Sequence, residues 1–331
     1  MIAWGALVLA AVGISLLVVL PGMLLLAGSG ADRSLALAAG PAVTVAIAGV
    51  AAVVFSRFGI VWDARTVGGL FVLLGSIGIA GVRLRGSTVC CHGLPLKLRA
   101  PLHSIGERTG WSALAASIIG AVTAGGTQII LFAKTIGTPW AMLQNTDAMV
   151  QLNLIEEIHR SGDASMLTAA IPVTGGSYPT VWHSFAVFLT PFASTPFTFN
   201  ALLVSLFGVL YPTGMAMLAT AAGGGPIARV AAPWLALSAP WFPGFMLTFS
   251  SMTSAGFAVA LVPSAIAAVV LLWRSYSTGD RCCLWQRLCS ASGWPVQARG
   301  SGRFWFHVCC CSSDCFHEPV GHGPRLEELL L

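Results

Sequence analysis

The chain has 331 residues, of which only 9% are charged and 56% are hydrophobic, and its mean hydropathy is +0.82. Soluble domains carry roughly 25% charged residues, so the composition excludes a soluble globular enzyme, a disordered chain, a coiled coil and a nucleic-acid module. The net charge of +5 reads as topology rather than as a binding surface, because Lys and Arg gather between apolar stretches.

About seven of those stretches approach the ~20 residues that span a ~30 Å hydrocarbon layer. In chain order they are residues 2–28, 35–62, 66–82, 111–132, 197–220, 230–249 and 255–273. The expected fold class is therefore all-α, a polytopic transmembrane helical bundle. The first stretch lacks a basic flank and its apolar run is too long for a signal peptide, so it reads as a retained helix. The second is longer than a span needs and crosses with part of its length. The sixth holds Pro233, Pro240 and Pro243, which predicts a kinked or broken helix. Small residues recur at helical spacing, as Ala38, Ala42 and Ala46 and as Gly75, Gly78 and Gly81, and such stripes permit close helix contact.

Orientation follows from the basic residues in short loops. Arg83, Arg85, Lys97, Arg99 and Arg108 face only one acid, Glu107, within residues 83–110, so that loop belongs in the cytoplasm. Alternation places the loop 134–196 outside and both Arg229 and Arg274 inside. Residues 1–274 read as one transmembrane domain. From residue 275 to 331 the composition changes. Seven of the nine cysteines fall there with Trp285, Trp294 and Trp305, and there is no apolar period. A zinc site from Cys309, Cys311, Cys315 and His317 is disfavoured because zinc ligands come as spaced pairs. The expectation is a disordered or frameshifted tail on a truncated chain.

The outer loop carries the pattern that matters for function. Met149, Leu152, Ile155 and Ile158 recur at steps of three, with Asp147, Gln151 and Glu157 elsewhere on the turn and Gly162 as the stop. A second amphipathic stretch runs over residues 179–189. Both are expected to lie along the outer membrane surface. Asp147 stands just after a span with Asn145, Gln151 and Asn153 close by as neutral hydrogen-bonding groups. A carboxyl partly desolvated at the membrane edge suits general-base work. The structural alternative is a first-turn acid that complements the helix dipole.

Here the residues resemble a known pattern. An acid after a span, a helix closing at Gly162-Asp163, then Tyr178-Pro179 ahead of Trp182-His183 are similar to the first outer loop of GT-C glycosyltransferases. Residues 144–162 and 178–183 more closely resemble a family of uncharacterised bacterial membrane proteins regarded as related to that superfamily, and Pro21-Gly22 and Ala39-Gly40-Pro41 are similar to it too. The resemblance implies a polyprenyl-phosphate sugar as donor, a cell-envelope acceptor, inversion at the anomeric carbon, and a bacterial plasma-membrane location. It implies Asp147 as catalytic base and Asn145, Gln151, Tyr178 and His183 as substrate-binding residues. No cofactor and no metal is called for, and the non-protein partners are membrane lipids and the lipid-linked sugar. The chain has Ala148 where many GT-C loops carry a second acid, and Gln151 where a His is common. The competing classes are a transporter, which would place ionisable groups inside the spans, and a non-catalytic membrane scaffold.

Overall fold

A computed structural model describes residues 2–87 and 111–291. Within them the chain is helical with no strand. The elements are α1 (Ile2–Ser29), α2 (Arg33–Arg57), α3 (Ala64–Ser87), α4 (Trp111–Ile136), α5 (Thr146–Ser161), α6 (Ile171–Thr174), α7 (Val181–Ser184), α8 (Thr195–Val204), α9 (Tyr211–Ala221), α10 (Pro226–Leu237) and α11 (Thr253–Ala291). Seven helical segments are long and apolar enough to cross a membrane: Ile2–Ser29, Arg33–Arg57, Ala64–Leu84, Leu114–Ile136, Thr195–Ala221, Pro226–Leu247 and Thr253–Ser275. The all-α polytopic bundle expected from hydropathy is the observed architecture. The zinc reading of Cys309, Cys311, Cys315 and His317 lies outside the described residues.

Local sequence explains the breaks. The second span stops at Arg57, and residues 58–63 form the turn into α3. Asp63 caps that helix by accepting the backbone N–H of Thr66 at 2.8 Å and of Arg65 at 2.9 Å. The Thr66 amide is the main reason its carboxyl titrates below the usual range. The sixth span is broken as its prolines predict. Helix α10 ends at Leu237, Ala239 is extended, and Pro240–Phe249, wide-turned and itself kinked at an extended Phe242, completes the crossing. A similar stretch, Ser205–Leu210, joins α8 to α9. Helix α11 continues beyond the apolar part to Ala291, so the first residues of the compositional tail are helical.

Packing in the first half rests on glycine. A Cβ on Gly22 would run into the carbonyl of Gly40, and one on Gly40 would stand 2.9 Å from the Met23 nitrogen. Between them the Gly22 N–H donates to the buried Thr44 hydroxyl at 2.8 Å. Gly78 and Gly81 meet α1 in the same way, the latter 2.7 Å from the Gly28 carbonyl oxygen. The glycine stripe of α3 is thus a contact surface. The alanine stripe of α2 is one only at Ala38, which is buried with Ala221 and Ala267; Ala42 and Ala46 are exposed, and the line buried along the helix is Gly40, Thr44, Ala48 and Ala52. Two parallel stripes at spacing four run along that helix, and the one lacking a Cβ at the crossing point lets α1 come close.

The turns at 58–63, 137–194 and 250–252 meet at one end of the bundle. The Trp62 N–H donates to the Gly162 carbonyl at 2.7 Å, and its indole N–H to the Ser184 carbonyl at 3.0 Å. The opposite end gathers Gly223 against the Arg274 guanidinium and the Arg229 Nε–H, which donates to the Gly224 carbonyl at 2.9 Å.

Candidate functional site

The end where these turns meet is built on α5. Asn145 caps it, its Oδ1 accepting the Ala148 N–H at 2.7 Å, and Gly162 closes it in the left-handed conformation at φ 66°. Its buried side consists of Ala148, Gln151, Leu152, Leu154, Ile155 and Ile158, while Met149 is exposed. Step-of-three counting placed Met149 on the apolar side. The true side follows 3.6 residues per turn from Ala148, and that brings Gln151 inside.

Gln151 is the centre of a buried polar network. Its Oε1 lies 2.6 Å from His183 Nε2 and accepts the Thr253 hydroxyl at 2.9 Å, and its Nε2 donates to the Tyr178 hydroxyl oxygen at 3.2 Å. Asn145 adds a second tie by donating from Nδ2 to the Ser251 hydroxyl at 3.0 Å. All five residues singled out from sequence therefore share one end of the molecule, and three of them, Gln151, Tyr178 and His183, are linked directly. Ser251 and Thr253 were missed. Their signal was the polar run from Ser250 to Ser254 between two apolar stretches, which reads as an ordinary turn until a partner is known. Ser251 is fully buried with φ at 49°, a conformation uncommon for a residue with a Cβ.

The second amphipathic stretch is not a surface helix. Residues 182–187 are all buried, folded as α7 followed by a tight turn, Phe185–Phe188. Trp182 and His183 are therefore core residues rather than membrane-surface anchors. The two rings meet edge to face at 4.8 Å, and Tyr178 meets the imidazole from another side at 6.0 Å. With no counter-charge beside it, burial alone drives the His183 pKa down to about 3 from its ordinary 6.5. The ring is neutral. Among the described residues its Nδ1 has no hydrogen-bond partner, and neither does the Trp182 indole nitrogen.

Asp147 differs from all of these. It lies in the first turn of α5, one turn before Gln151, and is exposed rather than partly desolvated. No hydrogen bond or ion pair engages its carboxylate among the described residues. The other acids of α5 are occupied: Glu157 pairs with Arg160 at 2.8 Å, and Glu156 accepts the Thr195 hydroxyl at 2.8 Å. The described residues contain no group of three or more His, Cys, Asp or Glu placed to hold a metal. A groove of about 430 Å³ between α4 and α10 is lined by Ala115, Ala116, Ile119, Pro226, Ile227, Val230 and Ala231. It offers hydrocarbon only, and lies toward the opposite end of the bundle. Gln128, the amide within the fourth span, bridges helices by donating to the Leu237 carbonyl at 3.1 Å.

A family model described as "Family of unknown function" (DUF6541) matches residues 15–298. No curated protein and no solved structure matches the chain.

Proposed function

The chain belongs to the DUF6541 family, a family of unknown function, and on that premise we propose that it is a GT-C-like glycosyltransferase working at the outer face of a bacterial plasma membrane. It takes a sugar from a polyprenyl-phosphate donor and passes it to a cell-envelope acceptor. The observation that carries this reading is the pairing of a free carboxylate, Asp147, with a fixed polar platform one helical turn away. Asp147 accepts the proton of the acceptor hydroxyl as that oxygen attacks the anomeric carbon. The new C–O bond forms as the bond to the donor phosphate breaks, and the electron pair leaves on phosphate oxygen. Attack from the side opposite the phosphate inverts the centre. An unpaired carboxylate suits the role because no Lys or Arg among the described residues pairs with it.

The test is turnover of a polyprenyl-phosphate-linked sugar in membranes containing the wild-type chain or Asp147→Asn. Removal of a general base lowers the rate by about 10²–10⁴-fold. Equal rates in the two membranes rule out Asp147 as the base.

One observation favours a second reading, a non-catalytic scaffold: Gln151 and His183 are 4% and 0% exposed, as residues that tie helices together would be. Absence of any turnover by the wild-type chain, with Gln151→Leu unfolding it, selects the scaffold. Transport finds less support, since ionisable groups within the spans are few.

A further inference from the structure

The orphaned nitrogen of His183 fixes the direction of every hydrogen bond in the network. A neutral imidazole carries one N–H. On Nδ1, which has no partner, that proton would be a buried donor with nothing to bind, and orphaned N–H groups are rarer in proteins than under-satisfied acceptors. The proton therefore sits on Nε2 and is donated to Gln151 Oε1 over 2.6 Å. Oε1 also accepts from Thr253, so the amide nitrogen is turned to Tyr178 and donates to its oxygen. Tyr178 then cannot give its own proton back to Gln151. Its ring is only partly buried, and no described residue accepts that proton.

From this we infer that the Tyr178 hydroxyl is a ligand-directed donor, aimed by His183 through Gln151 at an oxygen of the departing lipid phosphate. The inference rests on the glycosyl-transfer reading for the identity of its ligand. Negative charge grows on that oxygen as the sugar leaves, and a donor held in place beforehand stabilises it without reorganising. Tyr178 touches the ligand, whereas Gln151 and His183 are positioning residues. The aromatic contact with His183 needs only the ring, so Tyr178→Phe keeps the packing while it removes the donor and the oxygen that accepts the Gln151 amide; a thermal midpoint within a few degrees of wild type shows that the network survives the change.

Two measurements decide the matter. In the wild-type protein in detergent, ¹⁵N NMR of labelled histidine should show His183 protonated on Nε2, and protonation on Nδ1 overturns the inference. In the second, the probes are a polyprenyl monophosphate and inorganic phosphate, titrated separately into wild type and Tyr178→Phe. Loss of one hydrogen bond to a charged oxygen weakens binding of the lipid phosphate roughly tenfold or more. Equal affinity in the two proteins, or no binding of either phosphate to wild type, overturns it. If inorganic phosphate alone binds with that dependence, the donor role stands and its lipid-linked source falls. Binding requires no sugar transfer, so an inactive Asp147 and an idle Tyr178 give different results.

Discussion

At the scale of single residues, Gln151 carries the heaviest load. One amide serves Tyr178 and His183, five residues apart in one stretch, and Thr253 from another. Gln151→Leu keeps a similar volume but strands the buried His183 N–H and the Thr253 hydroxyl. Each stranded group costs about 1–3 kcal/mol, so the thermal midpoint in detergent should fall by several degrees; an unchanged midpoint would show the network to be ornamental. His183 adds a pH dependence. Its folded pKa is about 3 and its ordinary value 6.5, so between these limits the unfolded chain holds a proton that the folded chain refuses. The stability due to the neutral ring is complete above pH 6.5. It declines as the pH falls toward 3, with a slope of up to about 1.4 kcal/mol per pH unit. Thermal midpoints measured from pH 7 down to pH 4.5 should drop in wild type and drop less in His183→Gln. Parallel curves would mean that another group sets the acid limit.

At the scale of elements, the α1–α2 and α1–α3 contacts depend on missing side chains. A Cβ on Gly78 would run into the Leu24 carbonyl, with the Leu25 nitrogen 2.8 Å away, whereas nothing lies within 4 Å of one on Gly69. Gly78→Ala should therefore cost about 1–3 kcal/mol through overpacking. Gly69→Ala should be neutral or stabilising by up to about 1 kcal/mol, because a helical glycine is replaced at no steric cost. Equal effects of the two changes on detergent melting would refute the close approach. These helices also mark what sequence can reveal. Hydropathy located the seven crossings, and the prolines located the break in the sixth, because both signals are local. Which of two small-residue stripes on α2 faces a neighbour is decided by the partner helix. The same limit applied to residues 179–189, whose amphipathic pattern suggests a surface helix but of which residues 182–187 fold into the core. Gln151, Tyr178 and His183 were legible as polar positions in an apolar chain. Their mutual bonds were not, for Thr253 is 102 residues from Gln151.

At the scale of the whole molecule, seven crossings put the two ends of the membrane domain on opposite sides, and the proposed chemistry requires one particular orientation. The turns at 58–63, 137–194 and 250–252 share an end, so the placement of any one of them fixes Asp147 as well. The proposed orientation puts the other end in the cytoplasm because the sequence gathers Arg83, Arg85, Lys97, Arg99 and Arg108 there with Arg33, Arg229 and Arg274, against Arg57, Arg65, Lys134 and Arg160 at the Asp147 end. Cysteine accessibility measures this directly. In a cysteine-free background, Ser177→Cys lies on the exposed turn before Tyr178, and Gly225→Cys on the exposed turn before α10. A membrane-impermeant maleimide added to intact cells should modify Ser177→Cys and leave Gly225→Cys untouched until the membrane is opened. The reverse pattern would put Asp147 in the cytoplasm. A donor sugar displayed on the outer leaflet could not then reach it, and both the transfer reaction and the phosphate-directed role of Tyr178 would have to be abandoned, although the helix packing and the Gln151 network would stand unchanged.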